Sequence, residues 1–295
     1  MTVIHLFPGQ GSHRPGMGGE LFGRYPHLVR QADNLLGYSI EELCLHGSAA
    51  QLTDTRYTQC AMYIVGALSY IDGVRGSGTI PDAVAGHSLG EYVALFAGGA
   101  FDFLTGLELV AERAAAMADV GPGAMAAVVG AGHDELLRVM DGQPGSDRID
   151  VANLNAPDQT VISGPVDEVT ALIEALERAD LRALRLNVSG AFHSRYMAPA
   201  AERFGAFLER YRFAELKLPV ISNVTARPYG RVELADLLRR QLTEPVRWVE
   251  SIEHLMTLPD PVFQEVGPGH VLTGLVRRLG GNVVTTGDLQ QARAA

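Results

Sequence analysis

Val84-Ala85-Gly86-His87-Ser88-Leu89-Gly90-Glu91-Tyr92 is the stretch on which the reading of the chain turns. Gly86, Ser88 and Gly90 spell G-x-S-x-G, the pattern of a nucleophile elbow, in which a strand turns sharply into a helix and presents one serine at the top of a sheet. The glycines answer a steric need: a strained apex residue leaves no room for side chains two positions before and after it. Ala83-Val84-Ala85 is a short apolar run, and Glu91 to Ala97 has the pattern of a helix. In that geometry the Leu89 amide lies at a helix N-terminus, where it can donate to a developing oxyanion. Chance is the competing reading, because the chain holds 33 glycines, so the motif needs its context and its partner residues.

Composition narrows the classes. A chain of 295 residues with 47% hydrophobic and 20% charged residues can bury a large core and is too apolar for disorder. Its formal net charge of −10 argues against nonspecific nucleic-acid binding, which needs a basic surface. Cys44 and Cys60 are the only cysteines; without a C-x-x-C pattern they suggest neither a metal site nor a disulfide framework and suit a reducing cytoplasm. Met1 to Phe7 has no basic n-region and meets Pro8-Gly9 too soon for a signal peptide, and no apolar run is long enough to span a membrane.

Outward from the elbow, Val3 to Phe7 reads as a buried strand followed by the glycine-rich loop Pro8-Gly9-Gln10-Gly11-Ser12, which lacks the spacing of a phosphate-binding loop. Helices are predicted over Glu20–Leu36, Glu41–Leu45, Gln59–Ile71 and Leu104–Ala118. From Ala124 the order becomes strand Ala124–Val129, helix Asp134–Met140, strands Ile149–Asn153 and Thr160–Ser163, helix Val166–Ala179, strand Ala183–Leu186. That β-α-β-β-α-β order is the order of a ferredoxin-like unit. The fold expected is therefore α/β: a large α/β-hydrolase-like subdomain, residues 1–122 and 191–295, with a parallel sheet and a nucleophile elbow, into which a small ferredoxin-like subdomain, residues 123–190, is inserted. Helix Ala198–Tyr211, strand Val220–Asn223, helix Leu234–Leu242, a helix opening at Pro245 and strand Val262–Val266 complete the chain before a frayed alanine-rich end.

A serine nucleophile needs a base, and imidazole is the usual one. His87 adjoins the serine, but neighbours at an elbow point in different directions, so its role reads as structural even though it belongs to the neighbourhood of the substrate. His193, in Gly190-Ala191-Phe192-His193-Ser194, stands where the chain re-enters the large subdomain, beside an expected inter-subdomain cleft. By position alone it reads as a surface histidine at a helix start.

Five blocks in order resolve these alternatives: Phe7-Pro8-Gly9-Gln10-Gly11-Ser12, Gly86 to Tyr92, Arg113, Ala191-Phe192-His193-Ser194 and Glu265-Val266-Gly267-Pro268-Gly269. Together they resemble the malonyl-CoA:acyl carrier protein transacylase family over about residues 3–280. Leu52-Thr53 to Gln59, Asn153 to Pro157, Val220 to Pro228 and Pro245-Val246-Arg247-Trp248 extend the likeness, whose detail is similar to free-standing acyltransferases of trans-acyltransferase polyketide synthases (disorazole type). The resemblance implies Ser88 as the acylated nucleophile, His193 as its base, and Gln10 with the Leu89 amide as the oxyanion hole. Gln241 would steady the imidazole through its backbone carbonyl. Arg113, 25 residues after Ser88, matches the family arginine that pairs with the free malonyl carboxylate, a partner that a planar guanidinium suits. Without the resemblance Arg113 would read as a surface arginine paired with Glu108 or Glu112. Phe192, in the A-F-H form associated with malonyl, leaves little room for a methyl branch, and Met117 and Met125 are candidate pocket linings.

The activity implied carries malonyl from malonyl-CoA through Ser88 to the phosphopantetheine thiol of an acyl carrier protein, such as a polyketide synthase carrier domain. Malonyl-CoA enters as substrate; no metal or tightly bound cofactor is expected, and neither nucleic acid nor membrane. Carrier proteins are usually acidic, so a locally basic rim is expected, with Arg182, Arg185, Arg227, Arg247, Arg277 and Arg278 as candidates. Three alternatives stand beside this reading: a hydrolase that clears stalled chains from carrier proteins, a transferase for a larger unit such as ethylmalonyl, and a non-catalytic docking subunit.

Overall fold

The computed structural model describes residues 1–230, 233–285 and 288; the alanine-rich end lies outside them. Two four-stranded sheets organise the chain. The first contains β1 (Thr2–Phe7), β2 (Ala83–Gly86), β7 (Val220–Ile221) and β8 (Pro261–Glu265), all parallel, in the order β7-β2-β1-β8. Alternate residues of a strand face opposite sides of a sheet, and both sides here are covered. Phe7 and Val84 join a large core built on helices Thr55–Ser77, Gly90–Gly98, Phe103–Ala118 and Ala198–Leu208. Ile4, Leu6, Ala83 and Ala85 pack on the other side against Trp248, Ile252, Leu272 and Val276. A sheet buried on both faces reads as continuous apolar runs, which is why the strands were legible without alternation.

The second sheet contains β3 (Ala124–Val129), β4 (Asp150–Ala156), β5 (Gln159–Gly164) and β6 (Arg182–Arg185), antiparallel in the order β4-β5-β3-β6. Helices His133–Asp141 and Val166–Arg178 bury Leu136, Met140, Val169, Leu172 and Leu176 on one face of it. This is the ferredoxin-like arrangement read from the sequence, on a separate small core. A short parallel bridge ties it to the rest: the Leu154 amide donates to the Val246 carbonyl at 3.0 Å, and the Val246 amide to the Ala152 carbonyl at 2.9 Å.

Among the expected boundaries that change, four have a visible cause. The helix predicted over Glu20–Leu36 is two helices, Gly19–Arg24 and Pro26–Leu36, because Pro26 cannot continue a helix and instead opens the next one. Helix Gln59–Ile71 runs from Thr55 to Ser77, started by the Asp54 side chain, which accepts from the Arg56 amide, and ended at Gly78 with φ 65°. Strand Val220–Asn223 stops at Ile221, where Ser222 turns to bond Arg227 and Asn223 is drawn to the elbow. The helix expected from Pro245 begins at Trp248, since Val246 is engaged with β4 and the Arg247 amide donates to the Asn223 carbonyl. Helices Ala49–Thr53 and Val271–Arg278 were not foreseen.

The elbow joins the two central strands. Phe7 is in register with Gly86, and the His87 amide donates to the Phe7 carbonyl at 3.0 Å. A Cβ on Gly90 would overlap the Phe7 carbonyl, one on Gly86 would overlap the Gly90 backbone, and one on Gly9 would overlap the His87 carbonyl. Gly90→Ala is expected to destabilise the fold by about 3 kcal/mol, the upper end of overpacking costs, because the obstructing atoms are backbone. Chemical denaturation checks this; a loss below about 1 kcal/mol would show that the elbow can give way.

Candidate active site

Carboxyl ends of adjacent parallel strands bring distant segments to one place. β1 delivers Gln10, β2 delivers Ser88, and the turn after β7 delivers Asn223. Ser88 has a φ of 52°, in the left-handed region that costs a non-glycine residue about 1–2 kcal/mol. Hydrogen bonds hold it there. Its amide donates to Asn223 Oδ1 at 2.7 Å and its carbonyl accepts from Gln241 Nε2 at 3.0 Å, while Asn223 Nδ2 donates to the Gly86 carbonyl at 2.7 Å.

Ser88 Oγ lies 2.7 Å from His193 Nε2, within reach for proton transfer. His193 is buried, with a φ of 54°, and its Nδ1 donates to the Gln241 carbonyl at 2.7 Å. That bond leaves Nε2 unprotonated and able to accept the Ser88 proton. Burial, then the nearby Arg113 charge, push the imidazole down to about 3. The surface reading of His193 fails because both ring nitrogens are engaged inside the fold, Nε2 by Ser88 and Nδ1 by the Gln241 carbonyl.

Arg113 is also buried, at 1% exposure, projecting from helix Phe103–Ala118 toward the serine. Its Nη1 donates to Gln59 Oε1 at 2.5 Å, and its Nη2 donates to Gln241 Oε1 at 2.9 Å and to Ser88 Oγ at 3.3 Å. The guanidinium lies over the Tyr92 ring, 5.5 Å from its centroid, and its Nε has no partner among the described residues. Burial lowers its proton affinity. A cation held mainly by neutral amide oxygens still has charge to offer an arriving anion.

These groups open on a cavity of about 320 Å³ lined by Gln10, His87, Ser88, Leu89, Arg113 and Phe192, among others. Met117, Met125 and His193 also border it. A larger cavity, about 530 Å³, opens beside His5, Tyr70 and Glu265 and shares no lining residue with it. Among the described residues Gln10 Nε2 has a long bond of 3.4 Å to Thr55 Oγ1. His87 turns away from the dyad, its Nε2 paired with Asn155 Oδ1 at 2.8 Å and its ring 5.3 Å from that of Trp248. Met117 Sδ accepts from Gln59 Nε2 at 3.5 Å. Among the candidate rim arginines, Arg247 pairs with Glu250, Arg278 with Asp158 at 3.3 Å, and Arg185 donates to Thr170 at 3.0 Å.

Sequence reading left Gln59, Glu91, Asn155, Asn223 and Tyr229 without roles. Gln59, Glu91, Asn155 and Asn223 stand in blocks that carry the resemblance; burial of polar side chains was the missing signal. No group of three or more His, Cys, Asp or Glu suited to a metal ion occurs among the described residues, and none of their helices is long and apolar enough to cross a membrane.

A Ser–His pair at an elbow, its imidazole buried and its serine half-buried among donors, defines a serine acyl-transfer centre. The family model described as "Acyl transferase domain" matches residues 4–286. Polyketide biosynthesis malonyl CoA-acyl carrier protein transacylase PksC of Bacillus subtilis is 47% identical over 94% of this chain and 96% of its own. Polyketide biosynthesis protein PksE of the same organism is 48% identical over 94% of this chain, which spans only 36% of PksE. A malonyl CoA-acyl carrier protein transacylase from Burkholderia pseudomallei has a TM-score of 0.92 at 46% identity, covering 95% of this chain and 98% of its own. A malonyl-transacylase solved in complex with its type II PKS acyl-carrier protein has a TM-score of 0.91 at 32% identity, covering 97% of this chain and 95% of its own. The chain belongs to the acyl transferase domain family, among the malonyl-CoA:acyl carrier protein transacylases.

The low proton affinity of His193 sets a testable pH dependence. Its base form is lost only as pH falls toward 3, so labelling of Ser88 by an uncharged sulfonyl fluoride should keep most of its rate down to about pH 5. A midpoint near the ordinary imidazole value of about 6.5 would contradict this. Asn223→Ala should slow the same labelling at least about tenfold, since the strained serine loses an amide partner.

Proposed function

We propose that the protein transfers malonyl from malonyl-CoA to the phosphopantetheine thiol of an acyl carrier protein, supplying extender units to a polyketide synthase. The observation that carries the cargo assignment is Arg113, buried and donating to Ser88 Oγ at 3.3 Å. A carboxylate on the acyl group would find its charge partner beside the nucleophile. Such a charge-assisted contact is worth about 1.5–3 kcal/mol. Hydrolases and uncharged-acyl carriers have no need of this cation.

In the first half-reaction, Ser88 Oγ attacks the thioester carbonyl and its proton passes to His193 Nε2. The Leu89 amide and Gln10 stabilise the oxyanion; collapse breaks the carbon–sulfur bond, and CoA leaves with the proton from His193. In the second, the carrier thiol gives its proton to His193 and attacks the Ser88 ester, and Ser88 leaves by taking that proton back. The Gln241 carbonyl holds the imidazole throughout, in place of an acid. Malonyl-CoA is a substrate in this scheme and no tightly bound cofactor takes part. We place the protein in the cytoplasm, where acyl-CoA donors are found. Phe192, buried at the cavity, restricts the carbon bearing the carboxylate, and Met117 lines the same cavity as Arg113. The subdomain limits proposed at 122/123 and 190/191 are supported by the Gly123 amide, which donates to the Ser189 carbonyl at 3.1 Å and closes the insertion.

Ser88→Ala is expected to abolish the covalent malonyl adduct seen by intact mass; an adduct at another residue would overturn the assignment. Arg113→Ala should lose malonyl acylation while gaining acetyl, and unchanged malonyl kinetics would refute the carboxylate contact. Phe192→Ser should raise methylmalonyl relative to malonyl use, within the roughly 10–200-fold range a single methyl group allows.

A further inference from the structure

Glu91 takes no part in the acylation scheme, yet its carboxyl group is fully buried in the first turn of the elbow helix. Oε1 accepts from the Asn223 amide at 3.0 Å and from the Tyr229 hydroxyl at 2.5 Å, while Oε2 accepts from Gln241 Nε2. Two of these donors also hold the site. Asn223 Oδ1 accepts the Ser88 amide, and Gln241 touches Ser88 through Nε2, Arg113 through Oε1 and His193 through its backbone carbonyl.

A glutamine amide fits a closed pocket either way round, since its oxygen and nitrogen differ little in size; the polarity of its neighbours chooses. Arg113 offers only donors, so Gln241 Oε1 must face it. An ionised Glu91 offers only acceptors, so Gln241 Nε2 must face that side. A proton on Glu91 weakens this second demand, leaving only the Ser88 carbonyl to require Nε2, and introduces a donor, for which Gln241 Oε1 is an available acceptor. Turned round, Gln241 would present its amino group to Arg113, setting donor against donor. Burial pushes the Glu91 carboxyl up to about 7, while hydrogen bonds from Tyr229, Asn223 and Gln241 and the Arg113 charge oppose that shift. The titratable or charged groups facing it are Arg113 from helix Phe103–Ala118, Tyr229 from the turn after β7, and Tyr92 on its own helix.

We propose that Glu91 is a positioning residue: its carboxylate orients the Gln241 amide and so keeps Arg113 aimed beside Ser88, which sets the preference for carboxylated over uncharged acyl groups. This rests on the transacylase reading for its consequence, though not for its geometry. The preference should rise as pH increases through neutrality, because the ionised form is the orienting one.

The test compares wild type with Glu91→Gln by two readouts. The first is the ratio of malonyl to acetyl acylation of Ser88 from the two CoA esters, scored by intact mass, with uncharged sulfonyl fluoride labelling as a control on the dyad. The second is the Gln241 side-chain amide signal in protein labelled with 15N-glutamine, assigned by its loss in Gln241→Met. In Glu91→Gln the acyl ratio should fall at least about tenfold while sulfonylation changes by less than about threefold, and the Gln241 amide protons should shift and exchange faster. A folded Glu91→Gln protein with the wild-type ratio and an unmoved Gln241 signal overturns the proposal. Should Glu91→Gln fail to fold, Tyr229→Phe removes one donor to the carboxylate. It should move the pH midpoint of the Gln241 signal upward, and an unmoved midpoint overturns the proposal equally. Wild-type protein that takes no malonyl onto Ser88 refutes the transacylase reading; the amide signal then still decides the role of Glu91.

Discussion

The contact on which the site depends is the approach of the elbow to the end of β1. Gly90 lies so near the Phe7 carbonyl, and Gly86 so near Gly90, that neither position admits a Cβ. The strand can therefore reverse into a helix within three residues, and the serine is forced into left-handed backbone with its amide turned to the buried Asn223 side chain. The cost of that conformation is about 1–2 kcal/mol, the scale of one or two hydrogen bonds, and Asn223 and Gln241 supply bonds of that kind. His193 occupies the same backbone region, so both members of the dyad are held in conformations that only surrounding structure maintains.

The second constraint is electrostatic. A guanidinium at 1% exposure is costly to bury unless its protons find acceptors. Gln59, Gln241 and Ser88 provide oxygens, and the face of Tyr92 lies against the charge. Neutral acceptors engage both Nη atoms while leaving the charge largely uncompensated nearby, except by the buried Glu91 reached through Gln241. One glutamine thus links nucleophile, base and cation: its carbonyl to the imidazole, its amide oxygen to Arg113, its amide nitrogen to Ser88 and Glu91.

Much of this was legible in the chain because the relevant signals are local. Parallel strands covered on both faces appear as apolar runs, as Val3 to Phe7 and Ala83 to Ala85 do, and the elbow glycines report a backbone requirement directly. The errors fell where a residue's commitment is tertiary. Val246 and Arg247 carry helix-compatible side chains, yet the Val246 amide is used by β4 and the Arg247 amide by Asn223, so the helix starts at Trp248. Asn223 looked like the end of a strand, and its side chain instead serves a loop 135 residues away.

By itself the sequence determined the elbow, the division into a parallel-sheet body and an inserted ferredoxin-like unit and, through residues spaced as in a known family, the identities of Ser88, His193, Gln10 and Arg113 as candidates. These follow from steric rules and periodicities that act over a few residues, or from the likeness of whole blocks. Only the tertiary structure decided that Arg113 is a buried cation instead of a surface partner of Glu108 or Glu112, and that Glu91, Gln59 and Asn223 belong to the same network. Burial and donor–acceptor matching between segments more than fifty residues apart leave no periodic trace in a chain, because they arise when strand ends are brought together.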